Sequence, residues 1–97
     1  MYVLVLEAEL HLPTCRSLKA KRAVIRPIID TIRHRHHVSV AEVDHQDRWQ
    51  RATIALAVVA GDPTVAEERV DDLERLIWSA PDVEVIALTR HWLPADS

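Results

Sequence analysis

The sequence predicts an α+β domain of order β-α-β-β-α-β, and three observations predict it. Four segments alternate side chains with period two, as strands do. Two segments repeat apolar residues at helical spacing. The segments interleave so that each half of the chain reads strand, helix, strand. At 97 residues, 48% apolar and 28% charged, the chain has the size and composition of a single globular domain, taken as residues 1–97.

Met1 to Leu12 reads as a strand. Tyr2, Leu4, Leu6, Ala8, Leu10 and Leu12 share one face, and Val3, Val5, Glu7, Glu9 and His11 the other. One face is apolar throughout and the second turns polar toward its end, as in a sheet packed on one side and partly open on the other. Pro13 to Arg16 is a connection, and Ser17 can cap the helix that follows. Leu18, Ile25, Ile28, Ile29 and Ile32 recur at helical spacing to about Arg35. Pro27 lies inside that stretch, removes a backbone donor and crowds the carbonyl of Ala23, which predicts a kink or break.

Val38 to Asp44 predicts a second strand, Asp44 to Asp47 a turn, and Arg48 to Ala60 a third strand with Ala52, Ile54, Leu56 and Val58 inward. Their proximity predicts an antiparallel hairpin. Asp62-Pro63 is a helix start, a capping acid followed by proline at the first helical position. Ala66, Val70, Leu73 and Ile77 form the buried stripe, and the acids Glu67, Glu68, Asp71, Asp72 and Glu74 suit the early turns of this helix. Ser79 to Asp82, with Pro81, ends it, and Val83 to Trp92 is the last strand. Two β-α-β halves with helices on one face make a ferredoxin-like sandwich, a four-stranded antiparallel sheet under two helices.

Composition excludes several classes. A single cysteine, Cys15, cannot make an internal disulfide. The longest apolar run, Ile54 to Ala60, is too short to cross a bilayer, so no membrane partner is expected. Met1 to Leu6 lacks the features of a signal peptide, and a cytoplasmic location is the expectation.

The net charge of −3 conceals a split. Residues 1–51 hold nine Lys/Arg against six Asp/Glu, and residues 52–97 hold three against nine. Between 16 and 37, seven cations face one acid, Asp30, with His34, His36 and His37 at the end. A basic segment on an acidic protein points to a local anionic partner; the plainer alternative is a solvated helix face.

The blocks Ser17-Leu18-Lys19-Ala20-Lys21-Arg22 after His11-Leu12-Pro13, then Val38 to Val43, then Asp47-Arg48-Trp49-Gln50-Arg51, resemble the bacterial YlxP-like family, a domain of unknown function. The resemblance covers about residues 1–93. It implies a ferredoxin-like fold and genes lying beside those for transcription, translation and ribosome-maturation factors. It implies no reaction, so it carries over no catalytic residues. Ser17, Leu18, Lys19, Lys21, Arg22, Glu42, Asp47, Trp49, Gln50 and Arg51 are family-marking positions only.

Four groups of residues are candidate sites. At the start of the first helix, Arg16, Ser17, Lys19, Lys21 and Arg22 put cations where the helix dipole disfavours them, and backbone N–H groups there suit a phosphate. The alternative is pairing with nearby acids. In the hairpin block Asp47 to Arg51, Trp49, Gln50 and Arg51 suit stacking on a base and hydrogen bonding to it or to phosphate; the alternative has Trp49 anchoring the hairpin to the core while Arg48 and Arg51 bond the acids nearby. Third, an open sheet face with Val3, Val5, Ala41, Val43, Ala55, Ala57 and Val59 suits homodimerisation. Fourth, His34, His36 and His37, or Glu42, Asp44, His45 and Asp47, have ligand chemistry but no spacing of a closed metal site, so no metal and no cofactor are expected. Cys15 and His11 flank one loop, yet no third group orients them for nucleophilic catalysis.

The favoured function is a non-catalytic RNA-binding or ribosome-associated factor using the basic first helix. With 4% aromatics, no Phe and a pI near 6.0, RNA contact is expected from the helix side or loops, without stacking on the sheet, and no DNA specificity is evident. The alternatives are a homodimeric protein-interaction module and, last, a small phosphate-handling enzyme. Acylphosphatase shares the element order, but the loop here has Pro13 and no glycine.

Overall fold

The computed structural model describes residues 1–93. The element order is β1 (Tyr2–His11), α1 (Leu18–His36), β2 (Ser39–Asp44), β3 (Arg51–Ala60), α2 (Pro63–Trp78) and β4 (Glu84–Leu93). The sheet has the order β2-β3-β1-β4 and is antiparallel throughout. This is the ferredoxin-like arrangement that the alternating patterns predict.

The period-two pattern of β1 decides which face is buried. Leu4, Leu6, Ala8 and Leu10 are all at most 1% exposed, and they pair in register with Val58, Leu56, Ile54 and Ala52 of β3. Ile25, Ile28 and Ile32 of α1 and Val70, Leu73 and Ile77 of α2 close this layer from above. Full burial of each such aliphatic side chain is worth about 1.5–3 kcal/mol. The helices divide the sheet: α1 packs against β2, and α2 lies over β1, β3 and β4.

Both edge strands are irregular. The register shifts between Glu42 and Asp44 where β2 meets β3, and between Glu9 and Leu10 where β1 meets β4. Such bulges twist an edge and discourage pairing with another chain.

Three expectations need correction. The third strand begins at Arg51, and Arg48 to Gln50 belong to the turn, closed by Arg48 N–H donating to the His45 carbonyl at 2.9 Å. The first helix does not break: its 19 residues run through Pro27. Pro27 is on the exposed side, so its ring and the unpaired carbonyl it creates face solvent. The first turn of α2 holds no acid. The charge at that end is the cap itself, Asp62, whose carboxylate accepts from the N–H groups of Thr64 and Val65 at 2.7 and 3.3 Å.

Left-handed backbone occurs at His37, His45 and Asp82, all non-glycine. His37 is the C-cap of α1, where this conformation ends a helix. Among the described residues no helix is long and apolar enough to cross a membrane.

Candidate functional site

Ser17 caps α1 as predicted: its backbone is extended and its hydroxyl accepts from Ala20 N–H at 3.0 Å. The helix so started presents Lys19, Arg22 and Arg26 to solvent. Their spacing of three and four residues puts them on one side, over an axial length of about 10 Å. Arg33 continues the line but spends one N–H on the Val40 carbonyl of β2 at 3.2 Å. Asp30 is the one acid among them. Between this side of α1 and β2 lies a groove of about 260 Å³, lined by Arg22, Ile25, Arg26, Ile29 and Arg33 among others.

Pairing with nearby acids was the alternative for this stripe, and the geometry does not produce it. Among the described residues no carboxylate comes within 4.0 Å of Arg16, Lys19, Arg22 or Arg26. Three acids of α2 are engaged elsewhere. Glu74 and Asp71 hold Arg90 at 2.9 and 2.6 Å, and Asp72 pairs with Arg75. The Glu74 hydrogen bond in particular, helped by Asp71, raises the Arg90 pKa.

Lys21 does not belong to the surface stripe, which corrects the expectation. It is 2% exposed, and its ammonium lies 2.6 Å from Glu42 Oε2 and donates to the His45 carbonyl at 2.6 Å. The reason is position: Lys21, Ile25, Ile28 and Ile32 follow the spacing of the inward face, so the side chain at 21 enters the layer between α1 and β2.

The hairpin residues separate. Trp49 is 53% exposed and so does not anchor the hairpin in the core. Gln50 turns inward: its amide donates to the carbonyls of Pro13 and Cys15 at 3.3 and 3.2 Å, and its own carbonyl accepts from Leu12 N–H at 3.0 Å. These bonds, with that of Lys21 to His45, tie the 45–50 turn to the connection that leads into α1. Arg51 lies on the opposite face of the sheet, paired in register with His11 and 3.7 Å from Glu9. The site brought together is therefore Arg16, Ser17, Lys19 and Arg22, next to the turn that exposes Arg48 and Trp49. Gln50 and Lys21 are its internal supports, and Arg51 stands apart. Arg26 belongs to the basic segment but not to the site read from sequence; the i, i+3, i+7 spacing of Lys19, Arg22 and Arg26 is the signal for it.

The other candidates fare differently. His11 donates its Nδ1–H to the Glu84 carboxylate at 2.8 Å on the outer face, while Cys15 is buried in the core. Burial, and secondarily the charge of Asp82, pushes the Cys15 thiol up, against a smaller opposing effect of Lys21. A thiol so placed is a packing group. His36 ends α1 with its carbonyl accepting from Arg69 at 2.8 Å. Among the described residues no three His, Cys, Asp or Glu side chains are grouped to hold a metal ion.

Residues 3–90 match the family described as protein of unknown function, DUF503. The chain belongs to that family. It is 30% identical over 86 residues to the uncharacterized protein YlxP of Bacillus subtilis (strain 168), a match covering 89% of this chain and 94% of the relative. In fold it is similar to the solution NMR structure of a de novo designed protein, LFR1 1, with a ferredoxin fold. That match has a TM-score of 0.52 and 13% identity, and covers 100% of this chain and 89% of the other. The family resemblance read from the sequence blocks is thus shown, and the designed relative speaks for the fold alone.

Proposed function

We propose that the protein is a non-catalytic RNA-binding factor that associates with the ribosome through the α1 stripe and the turn beside it. The observation that carries this reading is a line of three arginine and lysine heads, Lys19, Arg22 and Arg26, left without carboxylate partners among the described residues while Asp71, Asp72 and Glu74 of α2 have partners of their own. Unneutralised cations at this spacing suit successive phosphates, and an exposed indole at Trp49 suits an unstacked base. The aromatics of the sheet, Tyr2 and Trp92, meet edge to face with ring centroids 6.3 Å apart on the helix side, away from the open face, so single-stranded RNA lying along α1 fits better than recognition across the open face. The gene neighbourhood that the family resemblance implies favours ribosomal RNA.

The test is binding to ribosomal subunits and to bulk RNA over a salt series. The parent is compared with Lys19→Glu/Arg22→Glu/Arg26→Glu, all exposed positions, with Lys21 left intact to preserve the fold. Salt-sensitive binding lost in a folded triple variant supports the reading. No binding at low salt, or equal binding by both, overturns it.

A further inference from the structure

Two contacts bridge helix and strand across the groove between α1 and β2. The buried Lys21 ammonium meets Glu42, and Arg33 donates to the Val40 carbonyl. Ile25 and Ile29 give the groove an apolar wall, and Arg22 and Arg26 stand exposed at its rim. Its volume of about 260 Å³ is just below the roughly 300 Å³ at which sites for drug-sized ligands begin, so one flat ring system fits it better than a longer ligand. The strand adds main-chain groups. β2 is an edge strand, and its Val40 carbonyl points off the sheet, because Arg33 reaches it there. In an antiparallel strand the N–H of the same residue, and both groups two residues on, point the same way. The N–H groups of Val40 and Glu42 therefore face the free edge, with no strand beside them. The carboxylate of Glu42 lines the same groove. Its Oε2 is buried and, although the Lys21 ammonium is 2.6 Å away, receives no well-aligned hydrogen bond among the described residues.

We infer that this groove takes one unstacked guanine base. The inference rests on the RNA-binding reading above and names the base that the site prefers. The Watson–Crick edge of guanine carries two adjacent donors, N1–H and the N2 amino group, beside one acceptor, O6. The two donors suit a single carboxylate, Glu42, and O6 suits a main-chain N–H of the β2 edge. Adenine and cytosine each present one donor group on that edge, and uracil sets its one N–H between two carbonyls that a carboxylate repels. The base would lie against Ile25 and Ile29. Arg22 and Arg26 are placed to cover its face or to hold the phosphates on either side of it. A peptide strand added to β2 is the poorer occupant. It would need the outward carbonyls of Val40 and Glu42, and these already accept from Arg33 at 3.2 Å and from the Gln46 amide at 3.5 Å.

The test is fluorescence anisotropy at low salt with the RNA pentamers UUGUU, UUAUU, UUCUU and UUUUU, and with UUIUU, whose inosine lacks the N2 amino group. UUGUU should bind about tenfold or more tightly than the other three standard pentamers, the usual discrimination of one bidentate contact, and inosine should lose much of that advantage. Glu42→Gln should bind all five alike. Because that variant strips the partner from a buried lysine, the placement is also read on the parent: the Ile25 and Ile29 methyl resonances should shift with UUGUU and stay nearly still with UUUUU. Equal, salt-sensitive binding of all five pentamers would overturn the guanine site and leave the RNA-binding reading standing. Preference for A or C, or a guanine preference that leaves both methyls unmoved, would overturn the site as well. Binding of none would overturn both readings.

Discussion

Lys21 and Glu42 form an ion pair, 2.6 Å between Nζ and Oε2, at the seam where α1 meets β2, with the lysine side chain 3% exposed and the glutamate 22%. The His45 carbonyl takes a second bond from the same ammonium. Removing one member of a buried pair leaves the other charge poorly solvated, which typically costs about 3–5 kcal/mol. Because Glu42 keeps some contact with water, Lys21→Ala should cost about 3 kcal/mol in urea denaturation. Lys19→Ala should stay within about 0.5 kcal/mol of the parent, as exposed substitutions do. Equal effects at 19 and 21 would show that the pair is not a support of the fold.

The α1 stripe makes a quantitative prediction for salt. Three phosphate contacts to a single strand give a slope of about −2 in log K against log salt, near −0.7 for each. Arg22→Ala should reduce the slope in magnitude by about 0.7. Trp49→Ala should leave the slope unchanged and weaken binding by about 1–3 kcal/mol, the usual worth of one stacked base. A Trp49 variant that alters the slope and not the affinity would contradict the division of roles.

Cys15 titrates with a sign that can be worked out. Burial raises its pKa above the ordinary 9.0, so the folded state holds the thiol proton after the unfolded chain has released it. The stability this confers is complete below about pH 9 and is lost as pH rises through the window above it. The parent should therefore lose stability faster than Cys15→Ala as pH rises above about 9. Native protein should also react slowly with iodoacetamide at neutral pH, and unfolded protein quickly. Rapid labelling of the native state would place the thiol at the surface.

Pro27 sits mid-helix on an exposed side. Proline costs about 3 kcal/mol relative to alanine inside a helix, but it also restricts the unfolded chain, which offsets about 0.4–1 kcal/mol. Pro27→Ala should thus stabilise the protein by about 2 kcal/mol and raise Tm. An unchanged or lower Tm would mean that the helix around 27 already deviates in a way that suits proline.

The strands and both helices were legible because their signals are local. Period two in β1 and β3, the Ser17 cap and the Asp62-Pro63 start each act within a few residues. Lys21 was misread because charge density and helical phase give opposite answers there. Counted as charge, it belongs with Lys19 and Arg22; counted by phase, with Ile25, Ile28 and Ile32. Glu42 carries the matching clue, since Val38, Val40 and Glu42 alternate onto the inner face, so an acid and a base each occupy a core phase. Trp49 was harder. Whether a large aromatic in a turn folds inward depends on what else fills the space, and here Gln50 takes the inward place through its bonds to the Pro13 and Cys15 carbonyls. Arg51 changed sides for a simple reason: β3 starts there, so its parity is set by the sheet and not by the turn.

The strand order has a kinetic consequence. β1 lies inside the sheet, and its two neighbours, β3 and β4, come from far along the chain. Only β2 and β3 pair across a short turn. Before β1 finds either neighbour, long loops must close, so the domain should refold more slowly than a helical bundle of its size. α1 and the β2–β3 hairpin need no such wait. They are the part of the chain able to form early, and they carry the cationic stripe and the turn with Trp49.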